Sequence, residues 1–217
     1  MKNTFKIGLG LASAALALSL SLSAQAKDWK TVTIAMEGAY EPWNLTDPSG
    51  KIVGFEVDLV NDLCKRMKVE CKIITQDWDG MIPGLQAKKY DTIISSMSIT
   101  EDRLKVVDFT DKYYNTPSKI VIKNSIKFTD PASLKGKKIG VLKGSTQEKY
   151  ANGELKPAGV VVTPYEAQDQ VYLDIKSGRL DGTVADVLEV TGGFLSKPEG
   201  KDYRVVGPEL FIPKYFG

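Results

Sequence analysis

The sequence predicts an α/β protein with parallel sheet, on two observations. Strand-like runs rich in β-branched residues alternate along the chain with runs of helical periodicity, the order expected of α/β layers. The residues suited to ligand chemistry then fall just beyond the ends of the strand-like runs, where α/β sheets collect their ligands.

Residues 31–36 (TVTIAM) alternate as a strand and run into Glu37-Gly38-Ala39-Tyr40. Residues 54–67 place Phe55, Leu59, Leu63 and Met67 near helical spacing, with acids early and Lys65-Arg66 late, as the helix dipole favours. Residues 71–75 read as the next strand. Residues 78–89 look helical, with Pro83 either in the first turn or at a kink. A strand at 92–97 follows, entered through Thr92, Ile93 and Ile94. Then come Ser95, Ser96 and Ser98, and Thr100 placed to cap a short helix whose first turn holds Glu101 and Asp102 beside Arg103. Residues 119–123 form another strand. A second set of units begins with the strand 138–142, the loop Lys143-Gly144-Ser145-Thr146, a helix through Tyr150 and a strand at 160–163. Residues 166–177 read as a helix with Val171, Leu173 and Ile175 among its apolar positions, and 182–187 as a strand that reaches Asp186. No low-complexity linker or clear internal repeat divides the chain, whose length suits two lobes of about 100 residues each.

Residues 1–26 carry Lys2 and Lys6, an apolar run and the triplet Ala24-Gln25-Ala26. This reads as a secretory signal, with the mature chain starting at Lys27. A retained membrane anchor is the competing reading, and the small residues and cleavage-type triplet count against it. Losing Lys2 and Lys6 takes the 29 basic residues to 27, equal to the 27 acids, so the mature chain is formally neutral. Its charge gives no support to nucleic-acid binding. The two cysteines, Cys64 and Cys71, are close in sequence, and in an oxidising compartment such a pair is most simply a disulfide. Closing that short loop contributes roughly 2–3 kcal/mol in the chain-entropy picture. The chain has no histidine, which removes Ser-His-Asp and Cys-His catalysis. Neither a metal site nor a cofactor is expected.

Five places lie at strand ends: Glu37 to Tyr40, Trp78, Ser95 to Arg103, Gly144 to Thr146, and Asp186. Glu37 and Asp186 bring negative charge, and Arg103 brings a planar fork that matches a carboxylate. Tyr40 and Trp78 bring flat apolar faces. The inventory suits a zwitterion with a cationic or polar tail: Arg103 and the hydroxyls take the α-carboxylate, an acid the α-ammonium, and the rings the tail. Taken singly, each piece has a plainer reading. Tyr40 and Trp78 are also core-type residues, Asp102-Arg103 is also ordinary helix-surface charge, and Lys143 to Thr146 lacks the full phosphate-loop pattern.

The stretches GFEVDLVNDLCKRM, QDWDGMIPGLQAKKYDTIISSMSITEDR, LKGKKIGVLKGSTQEKYA and KSGRLDGTVAD resemble periplasmic solute-binding proteins of polar amino-acid ABC transporters. The resemblance covers nearly all of residues 28–217 and is closest to the lysine/arginine/ornithine- and histidine-binding group. It implies the type II periplasmic-binding fold, two α/β lobes joined by two hinge strands. Lobes are expected at 27–116 and 117–209, with 210–217 as the second hinge. Arg103 matches the family arginine that pairs with the α-carboxylate, beside Ser95, Ser96, Ser98, Leu142, Ser145 and Thr146. Asp186 matches the acid that receives the α-ammonium, and Glu37 sits where that group often has Asp facing the tail. Tyr40 and Trp78 match the aromatic pair around the side chain, and Cys64 and Cys71 the disulfide. Family members continue past a Tyr-Phe-Gly like Tyr215-Phe216-Gly217 and return to the first lobe, so that part of the first lobe is expected to be missing here.

The resemblance implies a monomeric, non-catalytic binder of a basic L-amino acid, arginine foremost, serving an inner-membrane ABC permease. Glu37 with Trp78 also looks similar to the octopine- and nopaline-binding relatives, although Ser95 to Ser98 match the plain amino-acid binders better. Some exported dehydratases resemble this fold, and Glu37 is the candidate general acid for that alternative. A receptor sensor domain would need a membrane anchor.

Overall fold

The computed structural model describes residues 29–210 and 215–217. The signal segment expected at 1–26 lies outside them. Among the described residues no helix is long and apolar enough to cross a membrane.

Strand β1 (Thr31–Met36) is the centre of the first sheet. A small antiparallel sheet follows, made of β2 (Ala39–Tyr40), β3 (Asn44–Thr46) and β4 (Ile52–Val53). It delivers the chain to α1 (Phe55–Met67) through Gly54, whose φ of 126° suits glycine and whose added Cβ would meet the Trp43 carbonyl oxygen at 2.4 Å. Strand β5 (Glu70–Thr75) then pairs with β1 in parallel, Ile34 opposite Ile73. The Cys64–Cys71 disulfide ties α1 to β5.

Helix α1 corrects the sequence reading. It turns Val57, Val60 and Cys64 onto Ile34 and Met36, and buries Glu56 as well. The expected stripe lies beside that face instead: Phe55 is 45% exposed, Leu63 39% and Met67 55%. Residues 56, 60 and 64 sit about 100° round the helix from 55, 59 and 63, so periodicity alone allowed either face. Leu59, Leu63 and Met67 line a broad groove with Trp29, Val32, Ile93 and Ile94. The groove follows the open edge of β6 (Thr92–Ile93), the outer strand of the order β5-β1-β6.

The single helix expected at 78–89 is two shorter pieces, a 3₁₀ turn at Trp78–Gly80 and α2 (Met81–Gln86), with Pro83 in the first turn. The strand expected at 92–97 ends at Ile93. Beyond it Ser96 takes φ +53°, which breaks extended pairing. Helix α3 (Glu101–Leu104) is capped as expected, the Thr100 Oγ1 accepting from the Arg103 N–H.

The chain leaves through β7 (Tyr114–Asn115) and builds the second sheet. That sheet contains β8 (Ser118–Lys123), β9 (Lys138–Leu142), β10 (Val161–Tyr165), β11 (Gly182–Asp186) and β12 (Tyr203–Leu210), in the order β10-β9-β11-β8-β12. Strands β10, β9 and β11 are parallel, whereas β8 runs antiparallel to β11 and β12, so the sheet is mixed. A Cβ at Gly182 would lie 2.0 Å from the Val121 carbonyl, and glycine permits this close approach. Helix α4 (Thr146–Tyr150) follows β9 and widens into a π-turn at Ala151–Leu155. Helix α5 (Gln168–Lys176) buries Val171 and Ile175, while Leu173 is 60% exposed, because two residues along a helix point to opposite sides. Helix α6 (Val187–Val190) continues from β11. The second sheet carries a hydrophobic cluster on each face. The chain returns at β13 (Tyr215–Phe216), antiparallel to β7.

Backbone amides of β8, β9 and β11, covered on both faces, are expected to exchange with solvent at least about tenfold more slowly than those of β1. Native-state hydrogen exchange checks this, and equal protection of β1 in a monomer would contradict it.

Candidate functional site

The ends of β1, β9 and β11 converge on a small cavity of about 10 Å³ between the two sheets. Glu37 and Tyr40 enter it just after β1, and Trp78 just after β5. Ser96 and Ser98 come from the β6–α3 connection and Arg103 from α3 itself. Leu142, Ser145, Thr146 and Asp186 face them from the second sheet. Ser95 stands behind this wall, where its Oγ accepts the Glu37 N–H at 3.0 Å.

Among the described residues, the side chains of Tyr40, Ser118 and Gln147 donate to Asp186. The Tyr40 hydroxyl crosses from the small antiparallel sheet of the first lobe to Oδ2 at 2.7 Å, and the Ser118 hydroxyl donates to Oδ1 at 2.5 Å. Gln147 Nε2 donates to the same Oδ1 at 2.9 Å and to Ser118 Oγ at 3.2 Å. Neither Ser118 nor Gln147 was singled out from the sequence. Gln147 directly follows Thr146 in the first turn of α4, so its position in the loop was the available signal. Ser118 opens β8 opposite Asp186, a register that sequence spacing does not reveal.

Arg103 stands with its guanidinium carbon 5.3 Å from the centre of the Trp78 ring, a cation–π arrangement. Its Nη1 donates to the Ser98 carbonyl at 2.9 Å and its Nη2 to the Gly144 carbonyl of the opposite lobe at 3.3 Å. Burial lowers its pKa to about 10, with Asp186 opposing the shift, and the group stays cationic at neutral pH. Several hydroxyls counted from sequence as ligand donors are already committed. Ser96 Oγ donates to Glu56 at 2.9 Å, and Ser145 Oγ donates to the Leu142 carbonyl while accepting the Glu148 N–H as the α4 cap.

Glu37 is the electrostatic outlier. It is 9% exposed, and among the described residues its buried Oε1 has no hydrogen-bond partner. Burial raises its pKa to about 8, helped by the negative charges of Asp169, Asp77 and Glu56. Around the rim, three ion pairs join the lobes: Lys143 to Asp79 at 2.8 Å, Lys149 to Asp102 at 2.7 Å and Lys197 to Glu41 at 2.8 Å. Lys143 also reaches Glu166, so it points along the rim and not into the loop like a phosphate-binding lysine. The cavity thus brings together the Glu37 carboxyl group, the Arg103 guanidinium and a second acid, Asp186, held by side-chain donors.

The family of bacterial extracellular solute-binding proteins, family 3, matches residues 32–189. The chain belongs to this family. This solute-binding protein is 52% identical over 189 residues to the L-arginine-binding protein of Pseudomonas aeruginosa, covering 87% of this chain and 73% of that protein. It is 45% identical over 189 residues to the lysine/arginine/ornithine-binding periplasmic protein of Escherichia coli, with the same coverage. Among solved structures it superposes on an ancestral arginine-binding protein bound to arginine with a TM-score of 0.80, at 34% identity, over 86% of this chain and 82% of that one. The architecture is the type II periplasmic-binding fold.

The raised pKa of Glu37 sets a pH dependence. The folded protein keeps a proton that the unfolded chain releases above about pH 4.5, and gives it up only near pH 8. Stability from this group is therefore greatest below pH 4.5 and falls as pH rises through that window. Melting temperatures of the ligand-free solute-binding protein should decline from pH 5 to pH 8 relative to Glu37→Gln. Parallel curves would show a solvated Glu37.

Proposed function

We propose that this protein binds a basic L-amino acid, arginine foremost, in the periplasm and delivers it to an inner-membrane ABC permease. The observation that carries the reading is Glu37, a buried carboxyl group whose Oε1 has no hydrogen-bond partner among the described residues, in a cavity that Arg103 also lines. A cationic tail supplies the missing donors, and leaving such a carboxylate desolvated and unpaired is costly. Arg103 then takes the α-carboxylate, Asp186 the α-ammonium, and Tyr40 and Trp78 enclose the aliphatic stem. Relatives named as arginine-, lysine/arginine/ornithine- and histidine-binding proteins point the same way.

On this reading residues 27–116 and 117–209 are the two lobes, 210–217 form the second hinge, and the protein acts as a monomer without chemistry. Because both lobes contribute to the cavity, ligand stabilises the closed arrangement. Opine binding is the second reading, favoured by the 36% identity over 203 residues to an octopine-binding periplasmic protein of Rhizobium meliloti. An exported dehydratase is the remaining class.

A thermal-shift screen of arginine, lysine, ornithine, histidine and octopine tests the proposal. A ligand at 100 times its dissociation constant stabilises by about 2.7 kcal/mol, a clear rise in melting temperature. Arginine should give the largest rise, and its NMR spectrum should stay unchanged over hours with the protein. A larger rise with octopine, or consumption of the ligand, would overturn the reading.

Two substitutions test the roles by calorimetry. Arg103→Ala should weaken arginine binding at least about a hundredfold, the effect of leaving a buried carboxylate unpaired. Glu37→Gln should weaken arginine by roughly ten- to a hundredfold while glutamine binding holds or improves. An unchanged arginine-to-glutamine ratio would remove Glu37 from the tail site.

A further inference from the structure

We propose that Glu56, which does not line the cavity, is the positioning residue that sets two of the three first-lobe segments of the binding site, the one bearing Glu37 and the one bearing Ser96 and Ser98. Glu56 is the second residue of α1, fully buried, and its carboxylate is the hub of a polar network. Oε1 accepts the Ser96 N–H at 2.6 Å, the Ser96 hydroxyl at 2.9 Å and the Tyr113 hydroxyl. Oε2 accepts Asn44 Nδ2 at 2.6 Å. Four donated bonds need a group that only accepts, and an ionised carboxylate is that group.

Each branch ends at a part of the site. The Ser96 branch holds a non-glycine residue at φ +53°, where the chain must turn to present Ser96 and Ser98 to the cavity. The Asn44 branch works by elimination. Because Nδ2 points at Glu56, the amide oxygen must face the other way, and it accepts the Gly38 N–H at 2.6 Å. That bond fixes the peptide immediately after Glu37. Ser95 Oγ closes the ring by accepting the Glu37 N–H. The Tyr113 branch reaches the crossing, since the Tyr113 N–H donates to the Phe216 carbonyl at 2.9 Å. One carboxylate therefore sets the loop bearing Glu37, the loop bearing the serines and the start of the hinge.

The inference rests on the proposed ligand only for its affinity readout. In Glu56→Gln one acceptor becomes a donor. If the new NH₂ faces Asn44, two donors confront each other, and if Asn44 flips to relieve this, its own NH₂ confronts the Gly38 N–H. The double variant Glu56→Gln/Asn44→Asp restores the bonds from residue 56 to residue 44 and from the Gly38 N–H to residue 44 with the charge moved across one hydrogen bond, while the Ser95 hydroxyl, which accepts Asn44 Nδ2 at 3.4 Å in the parent, turns to donate to the new carboxylate.

Two measurements read the outcome in folded protein. Arginine affinity by calorimetry should fall about ten- to a hundredfold in Glu56→Gln, the range for a lost bond to a charged group, and return to within about threefold of the parent in the double variant. Amide exchange at Gly38 and Ser96 should accelerate in the single variant and slow again in the double, whatever the ligand is. Failure of the parent to bind arginine would count against the ligand proposal alone, leaving the exchange readout to decide this one. A purely structural Glu56 predicts a lower melting temperature with parental affinity and parental exchange at Gly38, and that result would overturn the proposal. Should Glu56→Gln fail to fold, the double variant carries the test: it must fold and regain both readouts, and its failure would overturn the inference.

Discussion

Burial of Phe216 is the constraint on which the rest of the site depends. The residue is fully buried where the chain crosses back, and it packs edge-on against Trp43 with ring centroids 5.5 Å apart. Tyr40 shares this cluster, and Tyr113 lies against it. The neighbouring backbone is equally engaged, since Phe216 pairs with Tyr114 across the crossing and bridges to Ser98. Burying one aromatic ring contributes about 1.5–3 kcal/mol, but its position matters more than its size. It fixes the crossing strands, the root of the Tyr40 side chain and the Ser98 backbone together. Tyr40 can then reach Asp186 in the other lobe, and Arg103 finds the Ser98 carbonyl where it needs an acceptor.

Charge is arranged in two tiers around the cavity. The rim pairs of Asp102, Lys149, Asp79, Lys143, Glu41 and Lys197 are exposed to solvent and salt, and pairs of that kind typically contribute little each. They orient the lobes more than they hold them. Inside, Glu37, Glu56 and Glu189 are buried acids whose pKa values all rise because burial penalises charge. Glu56 and Glu189 are supplied with donors, Tyr172 donating to Glu189 at 2.6 Å. Glu37 Oε1 is not. The difference sets Glu37 apart from the acids that build the protein, as its proposed role at a cationic tail requires.

The two lobes differ in how their sheets are covered. The second buries both faces of five strands, whereas the first leaves an apolar groove along α1 and β6. The exposed Leu63 and Met67 belong to a stripe whose helical spacing is real. Spacing reveals that a helix has an apolar side, but the choice between adjacent faces depends on what the rest of the chain brings to each. Here the sheet takes the face with Val57 and Val60 and draws Glu56 inside, a residue that from sequence looked like an acid placed for the helix dipole.

What the sequence determined by itself was local. The α/β alternation, the Thr100 cap, the Cys64–Cys71 link and the strand-end positions of Glu37, Arg103, Thr146 and Asp186 follow from periodicity, capping chemistry and chain proximity. Tertiary structure alone decided the rest. The antiparallel placement of β8 and β12, the cage of Ser118 and Gln147 around Asp186, and the hub at Glu56 join residues from 12 to 92 positions apart. So do the retreat of Ser95 behind the cavity wall and the commitment of Ser96 to Glu56. A side chain's polarity announces that it needs a partner. Which partner it meets is set by the crossing of two sheets, a geometry that exists only once both have folded.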